Sequence, residues 1–193
     1  MTGRDYINLA KKGFYPIETY ISDSDLAIFV NDARREVIKY AKIGYKEISL
    51  SLTAQTSEYT LLDNLLELYS VILQWDNTIR YEITKIPKGR FPLSTANFFA
   101  PPWNYSFVPP NKVEFYPCPD RTYNCYLYGV PFPSMEYTSS TLSDADTDIT
   151  TTNYLRPVAC LVGGYLARND QNYELAEYLE TKLFFEIMRV SKL

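Results

Sequence analysis

Residues 22–53 read SDSDLAIFVNDARREVIKYAKIGYKEISLSLT, and the hydrophobic period changes inside that stretch. In its first part Leu26, Phe29, Val30, Ala33, Val37, Tyr40 and Ala41 recur at spacings of three and four, one face of an α-helix. Ser22, Asp23 and Ser24 offer side-chain oxygens to cap its start, and Gly44 supplies a stop. From Tyr45 onward Ile48, Leu50 and Leu52 alternate with Ser49, Ser51 and Thr53, the period of a half-buried strand. A helix that gives way to a strand so abruptly predicts an α+β chain.

Working outward, residues 2–12 suit a shorter helix ended by Gly13. Towards the C-terminus, residues 59–61 and 66–75 continue in β-rich style, and Asp76-Asn77 supplies a turn. Ile79, Tyr81 and Ile83 then alternate with Arg80, Glu82 and Thr84 in a return strand. Two more strands are expected at 112–116 and 123–130, giving an antiparallel sheet or small barrel.

Between them, residues 87–110 are rich in proline and in aromatic side chains: Phe91, Phe98, Phe99, Trp103, Tyr105 and Phe107. Proline removes ladder donors, so this stretch is expected to be a long excursion and not a strand. It either folds onto the sheet or serves as a partner-binding arm. The Ser/Thr/Asp-rich run 139–152 is expected to be an exposed linker. Two helices then close the chain. Leu155, Val158, Ala159, Val162, Tyr165 and Leu166 form one stripe, with Pro157 tolerated in the first turn and Asn169-Asp170 as the break. Leu175, Ala176, Leu179, Leu183, Ile187 and Val190 form the second. Tyr178, Phe184, Phe185 and Met188 lie off that second seam, so the last helix is apolar on more than one face and suits contact with another chain.

The expected organisation is a helical bundle with an inserted β-module. Residues 1–44 hold the N-terminal helices, 45–138 the β-module with its excursion at 87–110, and 139–193 a linker and the helical hairpin that completes the bundle.

Composition narrows the function. Aromatic residues make up 16% of the 193, with 18 tyrosines, which favours interaction surfaces built from large, rigid, half-polar side chains. The net charge of -4 disfavours tight nucleic-acid binding, and the short basic pairs Lys11-Lys12 and Arg34-Arg35 read as solvated helix faces. There is no histidine, so the commonest proton-transfer group and metal ligand is missing.

Asp144, Asp146 and Asp148 lack the glycine and terminal glutamate of a calcium loop and read as solvated linker, so no metal and no cofactor is expected. Gly163-Gly164 reads as close helix packing without a phosphate loop around it. Cys118, Cys125 and Cys160 are too few and wrongly spaced for a disulfide framework or a zinc site, and their odd count suggests synthesis in a reducing cytoplasm. No serine has a nucleophile-elbow context. The start of the chain carries no signal-peptide pattern, and no run reaches the length of a membrane span. The terminal Ser191-Lys192-Leu193 spells a peroxisomal address but reads as chance at the end of an amphipathic helix. The expectation is a non-enzymatic protein.

Several stretches, taken in order, resemble the head–tail adaptor (connector, head-completion or tail tubular A-like) proteins of tailed bacteriophages. Gln55-Thr56-Ser57-Glu58-Tyr59-Thr60-Leu61 is similar to their glutamine-x-x-x-tyrosine-x-leucine strand start, with Leu62-Asp63 where a proline often follows. Val113-Glu114-Phe115-Tyr116-Pro117-Cys118-Pro119-Asp120 resembles their strand ending in Pro-x-Pro, and Tyr126-Leu127-Tyr128-Gly129-Val130-Pro131 the strand after it. Residues 154–168 and 172–190 resemble the closing helix pair.

The resemblance implies a virion protein made in the host cytoplasm that forms a closed ring, usually of twelve copies, at the head–tail junction. It implies that the helical part meets the portal protein and neighbouring subunits, and that the β-part meets the tail nozzle or tail tube. DNA would pass through the lumen unread, a task that an acidic wall suits. Tyr178, Phe184, Phe185 and Met188 are the candidates for subunit or portal contact, and Phe98, Phe99, Trp103 and Tyr105 for tail-side or neighbouring-subunit contact. Alternatives are another tail ring, nozzle or tail-completion protein, or a carbohydrate-binding module using Trp103, Tyr105 and Phe107 as stacking platforms.

Overall fold

The computed structural model describes residues 1–15, 20–76, 78–87, 98–149 and 152–190. Phe91, Asn77 and the terminal Ser191-Lys192-Leu193 lie outside the described residues. The chain folds into two compact units. One comprises residues 1–43 and 133–193, and the other residues 44–132.

The first unit is helical: α1 (Gly3–Gly13), α2 (Asp23–Tyr40), α3 (Leu155–Asn169) and α4 (Tyr173–Val190), with a 3-10 turn at Thr152–Tyr154. Thr2 and Asp5 cap α1 reciprocally, each side chain bonding the other's backbone N–H, so two orphan donors are satisfied together. Ser22 caps α2 by accepting from Asp25 N at 3.2 Å. Beyond α2 the chain turns through Gly44 at φ +73°, a conformation that costs a side-chain-bearing residue.

The predicted stripe of α3 proves too narrow. Cys160, Leu161, Gly163 and Gly164 are buried as well, because α3 packs against α1, α2 and α4 at once. A helix wrapped by three others must be apolar nearly all round. Gly163 is needed there: a Cβ at that position would stand 3.0 Å from the Phe14 Cβ and 3.4 Å from Leu179 Cδ1.

The largest departure from expectation concerns residues 133–149. The stretch from 139 is expected to be exposed linker, yet Leu142, Asp146 and Ile149 are buried. Arg34, expected on a solvated helix face, is 0% exposed. Its Nε donates to Asp146 Oδ2 at 2.7 Å and its Nη2 to Asp146 Oδ1 at 2.8 Å, a two-pronged pair. Nη2 also reaches Asp148 Oδ2 at 3.0 Å, and Nη1 donates to the Met135 carbonyl at 2.8 Å. The Tyr137 ring lies under the guanidinium, 4.9 Å from its carbon to the ring centroid.

Asp146 is equally well occupied. It accepts the Tyr6 hydroxyl at 2.8 Å and the backbone N–H groups of Asp148 and Ile149 at 3.0 and 2.9 Å. Backbone bonds from Asp146 N to Met1 O and from Arg4 N to Leu142 O tie the same strap to the start of α1. Asn31 closes the network by exchanging two 2.8 Å bonds with the backbone of Tyr137. Asp146 and Asp148 are therefore not solvated linker but the carboxylates that face the buried Arg34, while Asp144 stays exposed. A linker composition concealed this because the charge that neutralises Asp146 lies 112 residues away in sequence.

The second unit holds β1 (Lys46–Leu52), β2 (Glu58–Thr60), β3 (Leu65–Gln74), β4 (Arg80–Glu82), β5 (Thr84–Lys85), β6 (Asn104–Val108), β7 (Lys112–Tyr116) and β8 (Tyr123–Pro131). They form two four-stranded sheets in the orders β1-β8-β3-β4 and β2-β7-β6-β5. All pairings are antiparallel except β5 with β6. The inner faces share one core that includes Leu52, Leu68, Val71, Phe115, Tyr123 and Leu127. The β1 alternation follows the sequence pattern, with Ile48 and Leu50 towards that core.

One expectation fails here. The excursion at 87–110 contains a strand, β6, because the prolines that flank it stand at 101, 102, 109 and 110 and leave 104–108 free to pair with β7. The outcome is an α+β fold with four helices and two antiparallel-rich sheets.

The buried pair yields two expected outcomes. Arg34→Ala strands a buried carboxylate and should cost about 3–5 kcal/mol in denaturant unfolding. The Asp146 carboxyl feels opposing influences. Burial raises its pKa, but the Arg34 bonds, the Ile149 N–H and the Arg34 charge together hold it below the ordinary 3.8. The unfolded chain therefore binds this proton more readily than the folded one. The stabilisation is complete above about pH 4 and drains as pH falls through the depressed folded value. Asp146→Asn should lower stability at pH 7 and flatten this acid limb in thermal melts taken between about pH 5 and pH 2.

Candidate functional site

α4 separates its two faces cleanly. Ala176, Leu179, Leu183 and Ile187, spaced by three and four, are buried in the helical unit. Cys160 Sγ donates to the Leu179 carbonyl at 3.3 Å, which marks how closely α3 approaches α4. On the other side Tyr178, Phe184, Phe185 and Met188 are all exposed, Phe185 by 69%. All four interface candidates of this helix are thus brought onto surface. Tyr40 from α2 joins them, its ring centroid 5.6 Å from that of Phe184. Glu177, Glu180 and Thr181 line an open depression beside Phe184 and Phe185. Lys182 Nζ sits over the Tyr178 and Phe14 rings at 5.7 and 5.1 Å. Fully burying such a side chain from water is worth about 1.5–3 kcal/mol, and these are already partly covered, so a partner face would gain a part of that at each.

The second unit has its own exposed aromatic group. Phe98, Trp103 and Tyr116 form a triangle of rings with centroids 5.8, 6.0 and 6.3 Å apart. Phe98, Phe99 and Trp103 are each exposed by roughly two fifths or more. Tyr105, the fourth member of that expected set, is a correction. It is 1% exposed, belongs to the sheet core, and has its hydroxyl pKa pushed up to about 12 by burial and by the Glu82 charge. Its position inside β6 decides this, since the odd residue of that strand turns inward.

One exposed group was missed in the sequence. At the turn between β3 and β4, Trp75 and Ile79 stand out to solvent, and the Arg121 guanidinium lies 4.8 Å above the Trp75 ring. The signal was present as a tryptophan immediately before the Asp76 turn.

Chemically reactive groups are engaged or muted. Burial pushes the Cys125 thiol up to about 12 and the Cys160 thiol up to about 11, and raises Cys118 as well. Asp146 is committed to Arg34. Among the described residues no group of three or more His, Cys, Asp or Glu could hold a metal ion, and no helix is long and apolar enough to cross a membrane.

A helical unit and a two-sheet module, each with exposed aromatic side chains, present surfaces of the kind that meet partners. The model of the SU10 adaptor protein family matches residues 4–190, nearly the whole chain. The chain belongs to that family of phage head–tail adaptors, and it is a structural phage adaptor protein and a virion component. Comparison with curated proteins returns no match.

The exposure of α4 makes a direct prediction for the isolated chain. Phe185→Ser should change the unfolding free energy by no more than about 0.5 kcal/mol, since the ring is exposed, while Leu183→Ala on the buried face should cost about 2–5 kcal/mol. Parallel urea titrations of the two variants check this.

Proposed function

We propose that this chain is the head-to-tail adaptor that closes into a ring between the portal and the tail, and through which DNA is ejected. The observation that carries the reading is the match of the adaptor family over residues 4–190, joined to an α4 that exposes Tyr178, Phe184, Phe185 and Met188 on one face. A chain that repeats one contact around an axis needs such a face, because heterologous contacts close into rings. The proposed ring has twelve copies.

In this reading Tyr178, Phe184, Phe185 and Met188 meet a neighbouring subunit or the portal. Phe98, Phe99 and Trp103 meet the tail nozzle or tail tube, or a neighbouring subunit. In this reading the helical unit serves the head side and the β-module the tail side. The net charge of -4 supports passage of DNA without retention, since an acidic wall does not hold phosphates.

Electron microscopy of the intact particle, or of the purified protein mixed with its portal, is expected to show a ring at the head–tail vertex. A chain that stays monomeric beside the portal, with no ring in the particle, overturns the proposal.

A further inference from the structure

The two sheets of the β-module have open edges, and these are arranged in a way that suits a second copy of the chain. The first sheet is open at β1 and β4, the second at β2 and β5. β1 and β2 are joined through residues 53–57 and β4 and β5 through Ile83 alone, so one flank carries β1 and β2 and the opposite flank carries β4 and β5. Among the described residues, no backbone hydrogen bond joins the outer side of β1 or of β4 to another segment. An unpaired edge is a template for a further strand.

β1 is long for an edge, seven residues, and carries no proline or bulge to blunt it. Its core-facing Ile48 and Leu50 are only partly buried, as is Tyr81 on β4. Each edge thus leaves apolar side chains that one more strand would cover.

We propose that β1 of one copy pairs with β4 of the next, so that the first sheet continues from subunit to subunit. The inference rests on the ring reading above and names a contact within it. Direction and register follow from the sheet itself. Successive strands β1, β8, β3 and β4 alternate in direction, so β4 runs opposite to β1. In a ring of many copies neighbours are related by a small rotation, and the β1 of the next copy therefore runs antiparallel to β4.

Pairing must also keep core-facing residues on the core side, because a slip of one residue exchanges the faces. Glu47 is on the exposed face of β1 and Arg80 on the exposed face of β4. Setting Glu47 opposite Arg80 places Ile48 opposite the exposed Ile79 and Lys46 opposite Tyr81. Opposite charges then meet on the outer face, and Ile48 meets Ile79 on the inner one. Within its own copy Glu47 already accepts from the Tyr128 hydroxyl, and the Arg80 guanidinium lies 4.7 Å from the Tyr126 ring centroid. These contacts hold both charged heads against β8, over the outer face of the sheet that the join would extend.

The test uses the full chain assembled with its portal. Directly opposed positions in an antiparallel pair have Cβ atoms about 4.5–5.5 Å apart, within disulfide reach after small adjustment. Glu47→Cys with Arg80→Cys should give a ladder of covalent oligomers on a non-reducing denaturing gel after mild oxidation. Neither single variant should, since Cys118, Cys125 and Cys160 are buried. As a second measurement, Glu47→Arg should raise the concentration needed for ring formation about fivefold, and adding Arg80→Glu should restore it. Circular dichroism melts of each variant confirm that the fold is kept. A ring that forms without the ladder and ignores the charge reversal overturns the edge pairing and leaves the ring reading standing. Absence of any ring, with no ladder, overturns both.

Discussion

A single ion pair, Arg34 with Asp146, holds the helical unit in its form. Both side chains are fully withdrawn from water, and each is saturated with hydrogen bonds: the guanidinium by two carboxylates and a carbonyl, the carboxylate by the guanidinium, a tyrosine hydroxyl and two backbone N–H groups. A charge buried without such partners would cost several kcal/mol, so the pair stabilises only as a complete set. Because its members come from α1, α2 and residues 133–149, the set also fixes where the returning chain lies. Asp148 extends this control by accepting from Ser134 N and Oγ, which pins the start of the same strap. An apolar core of equal volume could match the stability of such a network. It could not impose the same directional register on a segment as polar as 139–149.

With the strap fixed, the helices divide their labour. α3 is the inner helix, so nearly every side chain on it is apolar or small, and Gly163 admits Phe14 from the connection after α1. α4 lies on one side of α3 and needs only one apolar face for that packing. Tyr178, Phe184, Phe185 and Met188 on its other side remain about half or more exposed. Tyr40 and Phe184 touch, so this surface spans more than one helix. Interfaces concentrate binding energy in a few aromatic anchors, and the α4 surface has the composition for it.

The β-module treats its aromatics differently. Tyr105, Phe115 and Tyr123 fill the space between the sheets, whereas Phe98, Trp103 and Tyr116 stack with one another near the surface. Strand parity separates Phe115 from its neighbour Tyr116 on β7, whereas Phe98 and Trp103 lie outside β6 and stay at the surface. Burial raises the pKa of the Cys125 thiol and of the Tyr105 and Tyr81 hydroxyls, which keeps these groups in their neutral forms.

Local order was legible in the sequence because it depends on neighbours. The 3.6-residue stripe of α2, the Ser22 cap, the period-two run of β1 and the off-seam aromatics of α4 all follow from spacings of a few residues, and so did the α+β class. The likeness to phage adaptors lay in motif order along the chain. Tertiary structure alone decided three things. It made Arg34 a core residue although its neighbour Arg35 stays at the surface, a choice foreshadowed only by its spacing of four from Val30 and three from Val37. It drew residues 139–149 inward, because the balancing charge for Asp146 sits on a distant helix. It sorted Tyr105 from Trp103, because Tyr105 lies inside β6 and faces the core while Trp103 stands just before the strand and stays half exposed. In each case the deciding energy was the desolvation of a charge or ring by groups far away in sequence, and periodicity carries no record of that.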